Sequence, residues 1–142
     1  MDDGIARARL SPEATDRFQS LRRELGVTTF GLNLMVLLPG QRGRIHRHER
    51  QEEVYVVLEG TLTVMVEGEP IELEPYDAVR LAPGVRRQVV NPTSERVVLL
   101  AVGGANAHEG RDGIAFEDWD ESEGRPPQEV PLPEDLPPAA SS

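Results

Sequence analysis

Short apolar runs at regular intervals dominate the middle of the chain. Turn signals such as Pro39-Gly40, Glu59-Gly60 and Pro83-Gly84 separate these runs, which are rich in β-branched residues. Because almost no helical periodicity lies between them, the pattern predicts an all-β antiparallel sandwich or small barrel rather than a parallel α/β sheet. The apolar runs occupy residues 29–38, 54–58, 62–66, 78–82, 89–90 and 97–102.

Some of the predicted strands are apolar on both faces. Leu34 and Val36 alternate with Met35 and Leu37, whereas a half-exposed strand carries a polar residue at every second position. A further layer must therefore cover the outer face of the sheet. We expect an N-terminal helix to cover part of it and a second copy of the chain to cover more, which predicts a homodimer.

The first 26 residues carry the signals of a short helix. Ser11 suits the N-cap, Pro12 suits the first helical position, and Gly26 suits the end of the helix. These signals predict an N-terminal arm and a helix over residues 11–25, followed by a β domain over residues 27–104.

Residues 105–142 differ in composition and form a predicted C-terminal extension. Ile114, Phe116 and Trp119 are isolated apolar residues in an acidic segment, and we expect them to fold back on the barrel. Beyond residue 120 the chain is rich in acid and proline, which predicts an extended or largely disordered tail. A docking segment for a protein partner is the alternative interpretation of this tail.

Composition narrows the class of protein. The 142 residues leave room for one domain, contain no cysteine and include no apolar run as long as a membrane span. The net charge of −10 argues against nucleic acid and anionic membrane as partners. We therefore expect a cytoplasmic protein with a small-molecule ligand. All fifteen basic residues are arginines, seven of them between residues 42 and 87, and arginine suits recognition of carboxylate or phosphate.

Two histidines and a glutamate form a candidate metal site. His46 and His48 are two residues apart, so on a strand both side chains point to one face, which Arg44 shares. Glu53 heads the next predicted strand, and Tyr55 points to the same face as Glu53. We refer to His46, His48 and Glu53 as the triad. Two imidazoles and one carboxylate are the ligands of a facial triad, which suits Fe(II), Mn(II), Ni(II) or Zn(II).

The residues around the triad resemble the first conserved motif of the cupin superfamily. Every defined position and gap of that motif is matched, by Gly40, His46, His48, Glu53 and Gly60. Residues 76–91 are similar to the second cupin motif, which is degenerate in this chain. The resemblance covers roughly residues 28–103. It implies a cupin-like double-stranded β-helix, or jelly-roll, barrel with the site in its interior.

The second motif departs from the family at the fourth metal ligand, where Arg87 stands in place of a histidine. Tyr76 and Ala82 also depart, from glycine and proline, while the matching positions are Gly84 and Asn91. Arginine offers no lone pair to a metal. In one arrangement Arg87 turns aside, and the triad binds a metal while the guanidinium holds an anionic substrate. In the other, Arg87 pairs with Glu53 and the site is metal-free.

Three classes of function are consistent with these features. The first is a cupin that binds a small, anionic molecule in the barrel through Arg44, Tyr55 and Arg87, next to a degenerate metal site. The second is a metal-dependent dioxygenase or sugar isomerase/epimerase with the triad as metal ligands. The third is a non-catalytic interaction protein that uses the acidic tail. His108 supplies a fourth ligand only if the tail enters the barrel mouth.

Overall fold

A computed structural model describes residues 3–13, 17–104 and 112–137 of the chain. The strands in these ranges are β1 (Phe18–Ser20), β2 (Phe30–Leu37), β3 (Ile45–His48), β4 (Glu52–Glu59), β5 (Leu62–Val66), β6 (Glu69–Leu73), β7 (Ala78–Leu81), β8 (Arg87–Val90), β9 (Val97–Gly104) and β10 (Gly113–Phe116). They form two five-stranded antiparallel sheets in the orders β1-β2-β9-β4-β7 and β10-β3-β8-β5-β6. The predicted all-β jelly roll with one N-terminal helix is thus confirmed.

The main hydrophobic core lies between the two sheets. Tyr55 and Val57 of β4 and Leu99 of β9 enter it from the first sheet, and Val64 of β5 and Val89 of β8 enter it from the second. Each of these residues is at most 2% exposed. Full burial of a large apolar side chain contributes roughly 1.5–3 kcal/mol. The core therefore fixes how the sheets face each other, and with that the inward positions of β3, β4 and β8.

A short helix, α1 (Leu21–Leu25), covers part of the outer face of the first sheet. Leu21 packs there in a second apolar cluster with Leu34, Val36 and Val98, all at most 3% exposed. The protein's own helix thus buries part of the outer apolar face that the strand pattern predicts. No helix in the described ranges is long and apolar enough to cross a membrane.

The capping signals predict a helix that begins at Ser11, but the helix in the structure begins at Leu21. Its N-cap is Ser20, whose hydroxyl accepts a hydrogen bond from the main-chain N–H of Arg23. Gly26 ends the helix with a φ of +73°, as predicted. The residues just before the helix form β1 and pair with β2 because this pairing satisfies their backbone groups at the sheet edge.

Gly60, the last residue of the first motif, stands in the turn between β4 and β5 with a φ of +78°. A Cβ atom at this position would overlap the carbonyl oxygen of Arg96 and would lie 3.2 Å from Cα of Val97. Both the backbone conformation and the available space therefore require glycine.

Replacement of Gly60 by alanine is expected to destabilise the protein by about 3 kcal/mol or more, because steric overlap adds to the strain of a positive φ. Gly68→Ala is the matched control: its φ is +85°, but no described atom beyond its two chain neighbours lies within 4 Å of the added Cβ. This control should cost only the strain of roughly 1–2 kcal/mol. Urea denaturation followed by circular dichroism measures both losses, and equal losses would contradict the steric contribution.

The chain returns to the barrel after the gap in the described residues. Ile114 and Phe116 fold back on the barrel as expected, and they do so in β10, which pairs with β3; Phe116 is 3% exposed. We refer to residues 124–137 as the C-terminal strap. The N–H of Leu136 donates to the carbonyl of Gly40 at 2.8 Å, and Arg44 Nε donates to the carbonyl of Val130 at 2.6 Å. Composition predicts a largely disordered chain beyond residue 120; instead the strap lies against the barrel, because the barrel satisfies its main-chain groups.

Candidate metal centre

The triad meets between the two sheets. β3 of the second sheet carries His46 and His48, and β4 of the first sheet carries Glu53. Nε2 of His46 lies 3.8 Å from Oε1 of Glu53, and Nε2 of His48 lies 3.9 Å from Oε2. The ligand atoms of all three residues lie within 4.8 Å of one another. The fold therefore brings together the three side chains that the sequence predicts to meet.

Arg87 approaches the same carboxylate from β8, the strand next to β3. Its side chain is fully buried, and its Nη2 and Nε donate to Oε1 of Glu53 at 3.0 and 3.3 Å. Nη1 donates to the carbonyl of Val85 at 2.7 Å. Arg87 therefore pairs with Glu53 instead of turning aside, and this pairing does not by itself make the site metal-free, because Nε2 of both histidines still faces Glu53. Arg87 thus donates to Oε1 of Glu53, while Oε2 of Glu53 faces His48.

Both histidines have acceptors at Nδ1. Nδ1 of His46 lies 3.1 Å from the carbonyl oxygen of Arg44, and Nδ1 of His48 lies 2.8 Å from Oδ1 of Asp112. A proton on each Nδ1 leaves the lone pair on Nε2, which is the atom that faces Glu53. Histidines that bind metals through one ring nitrogen commonly donate the other N–H to a carbonyl or a carboxylate in this way.

Asp112 belongs to the site, although no sequence signal identifies it. Its Oδ2 accepts hydrogen bonds from the main-chain N–H groups of Arg50 and Gln51, both at 2.9 Å. Its Oδ1 accepts the side-chain amide of Gln51 at 2.6 Å and faces His48. The residue stands outside both motifs, 64 positions from His48, and only the return of β10 to β3 brings it close.

The surroundings favour the protonation states that bind metals. Burial alone would raise the pKa of Glu53, but His46, Arg87 and His48 together lower it to about 2. Burial also opposes ionisation of Asp112, yet two main-chain N–H donors and His48 lower its pKa to about 2. Burial lowers the pKa of His48, outweighing the opposite effect of the two carboxylates. At neutral pH the site thus offers a carboxylate and a neutral imidazole at His48.

Asp112→Asn is expected to weaken binding of a divalent metal at the triad by roughly 10- to 100-fold, because an amide holds the His48 ring less firmly than a carboxylate does. Asp77→Asn is the matched control, since Asp77 also accepts a main-chain N–H, from Glu74, but lies away from the triad. Competition with a chromophoric chelator measures the affinity. Equal affinities for the two variants would show that Asp112 does not support metal binding.

The other candidate residues have different surroundings. Tyr55 is 1% exposed and belongs to the core, so it presents no surface to a ligand; burial and the charge of Glu53 raise its pKa well above the ordinary value. Asn91 has the predicted turn role: its amide donates to the carbonyl of Leu37, and its Oδ1 accepts the N–H of Thr93. His108 lies outside the described residues.

A cavity of about 360 Å³ opens beside the two histidines. Its polar lining comes from Arg17, Arg44, His46 and His48, and the rest is mostly apolar. A smaller cavity of about 170 Å³ borders His48 and Glu53 from another direction. A small molecule in the larger cavity would therefore contact the histidines directly.

The donor chemistry of the triad fits a divalent transition metal. Imidazole nitrogen suits Fe(II), Ni(II) and Zn(II), and a carboxylate oxygen adds the charge that a dication requires. Both hydrogen bonds from Arg87 to this carboxylate go to Oε1, the oxygen nearest His46, so Oε2, which faces His48, receives none from Arg87. Three protein ligands leave coordination positions for water or substrate.

A jelly roll with two histidines and a glutamate between its sheets is a recognisable class of protein. Comparison with known families shows which class this is. Residues 33–103 match the family model of the cupin domain. The chain therefore belongs to the cupin family. The matched range includes the triad and Arg87.

Named relatives add detail. A β-D-galactosidase of Mycobacterium tuberculosis, Rv1717, is 40% identical over 79 residues, which are 55% of this chain and 67% of the relative. A cupin protein from Bacteroides fragilis is 25% identical, with a TM-score of 0.65 over 77% of this chain and 92% of its own. A sugar phosphate isomerase of the cupin superfamily from Silicibacter pomeroyi is 23% identical, with a TM-score of 0.61 over 91% and 90% of the two chains, and supports the fold alone.

Proposed function

We propose that this cupin is a metal-dependent enzyme that acts on a small molecule, with His46, His48 and Glu53 holding one Fe(II), Mn(II), Ni(II) or Zn(II) ion. The fixed orientation of the histidines carries the proposal: acceptors at both Nδ1 atoms direct both Nε2 atoms toward Glu53. A bound ion would supply Lewis acidity or oxygen activation at this point.

The chain's own residues have distinct roles in this proposal. Arg87 holds Glu53 in its ionised form and in one orientation. Asp112 holds the ring of His48. The larger cavity admits the substrate to the histidines and limits the water around it.

Dioxygenase chemistry is the better supported of the two reaction classes. Sugar isomerases and epimerases move protons on carbon, which requires a general acid or base with a pKa near the working pH. His46, His48 and Glu53 are assigned to the metal in this proposal, and Asp112 holds the ring of His48. The described lining of the larger cavity contains no carboxylate. Oxygen activation by a metal depends less on acidic or basic side chains than isomerisation or epimerisation does.

Elemental analysis of untagged protein, produced with added Fe, Mn, Ni and Zn, tests the metal site. We expect about one ion per chain, and a rise in Tm when the ion is added to chelator-treated protein. A content below about 0.1 ion per chain for each metal would contradict the proposal and favour the metal-free arrangement.

Hydrolysis of a β-galactoside is the second candidate, favoured by the 40% identical relative. Glycosidases ordinarily use a protonated carboxyl group as the general acid. Because the pKa values of Glu53 and Asp112 are both about 2, neither carboxyl group is protonated at neutral pH. Turnover of 4-nitrophenyl β-D-galactoside should therefore equal the rate without enzyme. Turnover that disappears in Glu53→Gln would make hydrolysis the preferred function.

The ligand is proposed to be anionic, with Arg44 rather than Arg87 as the cation that meets it. Arg87 is fully buried, and its hydrogen bonds go to Glu53 and Val85. Arg44 lines the larger cavity beside the histidines. Charge at the cavity wall favours an anion even though the net charge of the chain is −10.

A cytoplasmic homodimer remains part of the proposal. Partly buried apolar residues, among them Leu32, Leu58 and Leu100, border the cluster under α1. Tyr76 is 86% exposed. Size-exclusion chromatography with light scattering tests the dimer, and a monomer at micromolar concentration would contradict it.

A further inference from the structure

We infer that the larger cavity takes an amphipathic carboxylate, whose apolar body lies against the C-terminal strap and whose carboxylate lies between Arg44 and the triad. This inference names the substrate class for the site of the proposed function and rests on that proposal only for the location of the reaction. The apolar wall and Arg44 are independent of any metal.

The apolar wall contains residues from outside the barrel as well as from within it. Leu37 and Val89 are buried core residues, whereas Phe18 of β1 and Leu132 of the strap are 59% and 43% exposed. Large exposed apolar side chains that face one concave space are typical of a binding site. A ligand in the cavity would remove both side chains from water, and the strap thus supplies part of the recognition surface.

Arg44 gives the cavity a charged end. Its Nε donates to the carbonyl of Val130, which fixes the guanidinium at the strap. Its Nη1 and Nη2 have no hydrogen-bonding partner among the residues that the structure describes. Arg17, the other arginine at this cavity, is engaged with Asp135 at 3.5 Å and with the carbonyl of Arg42. A carboxylate that reached Arg44 would also lie close to His46 and His48, which line the same cavity.

A sugar fits this wall less well than an apolar body does. Each sugar hydroxyl that leaves water needs a hydrogen-bonding partner, and an unpaired one costs about 1–3 kcal/mol. The wall formed by Phe18, Met35, Leu37, Val89 and Leu132 offers no side-chain hydrogen-bonding group. The cavity volume of about 360 Å³ lies at the small end of the range for small-molecule sites, roughly 300–1,000 Å³.

Isothermal titration calorimetry with four probes tests the inference: 3-phenylpropanoate, 3-phenylpropan-1-ol, acetate and D-galactose. Each is titrated into metal-loaded and chelator-treated protein. 3-Phenylpropanoate should bind at least about tenfold more tightly than each of the other three, because only it has both an apolar body and a carboxylate. Tighter binding of D-galactose, or equal binding of the acid and the alcohol, would overturn the inference.

Variants locate the binding. Leu132→Ala and Arg44→Gln should each weaken binding of 3-phenylpropanoate by about tenfold, whereas Arg44→Lys should recover part of the loss. Ile71→Ala, at 39% exposure on β6, and Arg47→Gln, on the opposite face of β3, are the matched controls and should bind as the wild type does. Unchanged binding in the first two variants would place the probe elsewhere and refute the inference.

The two proposals fail separately. If the protein holds no metal but binds 3-phenylpropanoate through Arg44 and Leu132, the metal-dependent function is wrong and the ligand class stands. If it holds one metal ion but does not bind this probe in either form, the ligand class is wrong and the metal site stands.

Discussion

Replacement of Arg87 by methionine is expected to lower the free energy of unfolding of the metal-free protein by about 3 kcal/mol, because it leaves the partly buried Glu53 carboxylate without its cation. Arg87 is fully buried, and its guanidinium lies 3.0 Å from Oε1 of Glu53. Methionine fills much of the volume, so the loss reports mainly on charge. Urea denaturation followed by circular dichroism measures it.

Arg96→Met is the matched control for this loss. Arg96 pairs with Glu59 at the surface, where water screens the two charges, so the loss in this variant should be far smaller. A divalent metal ion should restore part of the stability lost in Arg87→Met, since the ion also places positive charge beside Glu53. Equal losses in the two variants, or no restoration by metal, would contradict the role assigned to Arg87.

His46→Ala is expected to weaken metal binding by at least about 100-fold, because it removes one of three protein ligands. Stability without metal should change little, since the His46 side chain is 24% exposed and lies 3.8 Å from Glu53, its ion-pair partner among the described residues. Elemental analysis and the metal-induced rise in Tm measure the effect. The rise should be present in the wild type and absent in the variant.

Arg47→Ala is the control for His46→Ala, because Arg47 neighbours His46 on β3 but points to the other face. It should retain the metal content and the Tm rise of the wild type. A His46→Ala variant that keeps its full metal content would exclude the triad as the binding site.

Local patterns in the sequence predict the barrel and the meeting of the triad. Alternation along β3 places His46 and His48 on one face, and the fixed gap to Glu53 places the carboxylate on β4, so a few neighbouring residues determine the geometry. Gly60 marks a turn that no larger residue fits. The pairing of Arg87 with Glu53 is one of two arrangements that follow from the second motif.

The remaining parts of the site depend on contacts between distant segments. Asp112 reaches His48 only because β10 pairs with β3, and no local spacing encodes that pairing. The first residue of α1 also depends on a distant contact. The pairing of β1 with β2 outweighs the capping signals at Ser11 and Pro12. The strap has the composition of a disordered chain, and its attachment depends on arginines far away in the sequence.

The strap is attached largely through its main chain. Arg42 and Arg44 donate to the carbonyls of Glu134 and Val130, and the N–H of Leu136 donates to the carbonyl of Gly40. Such bonds do not depend on which side chains the strap carries. Substitutions at exposed positions such as residue 132 could therefore reshape the cavity wall at little cost in stability. Ligand preference could then diverge among descendants of this protein while the barrel and its triad stayed unchanged.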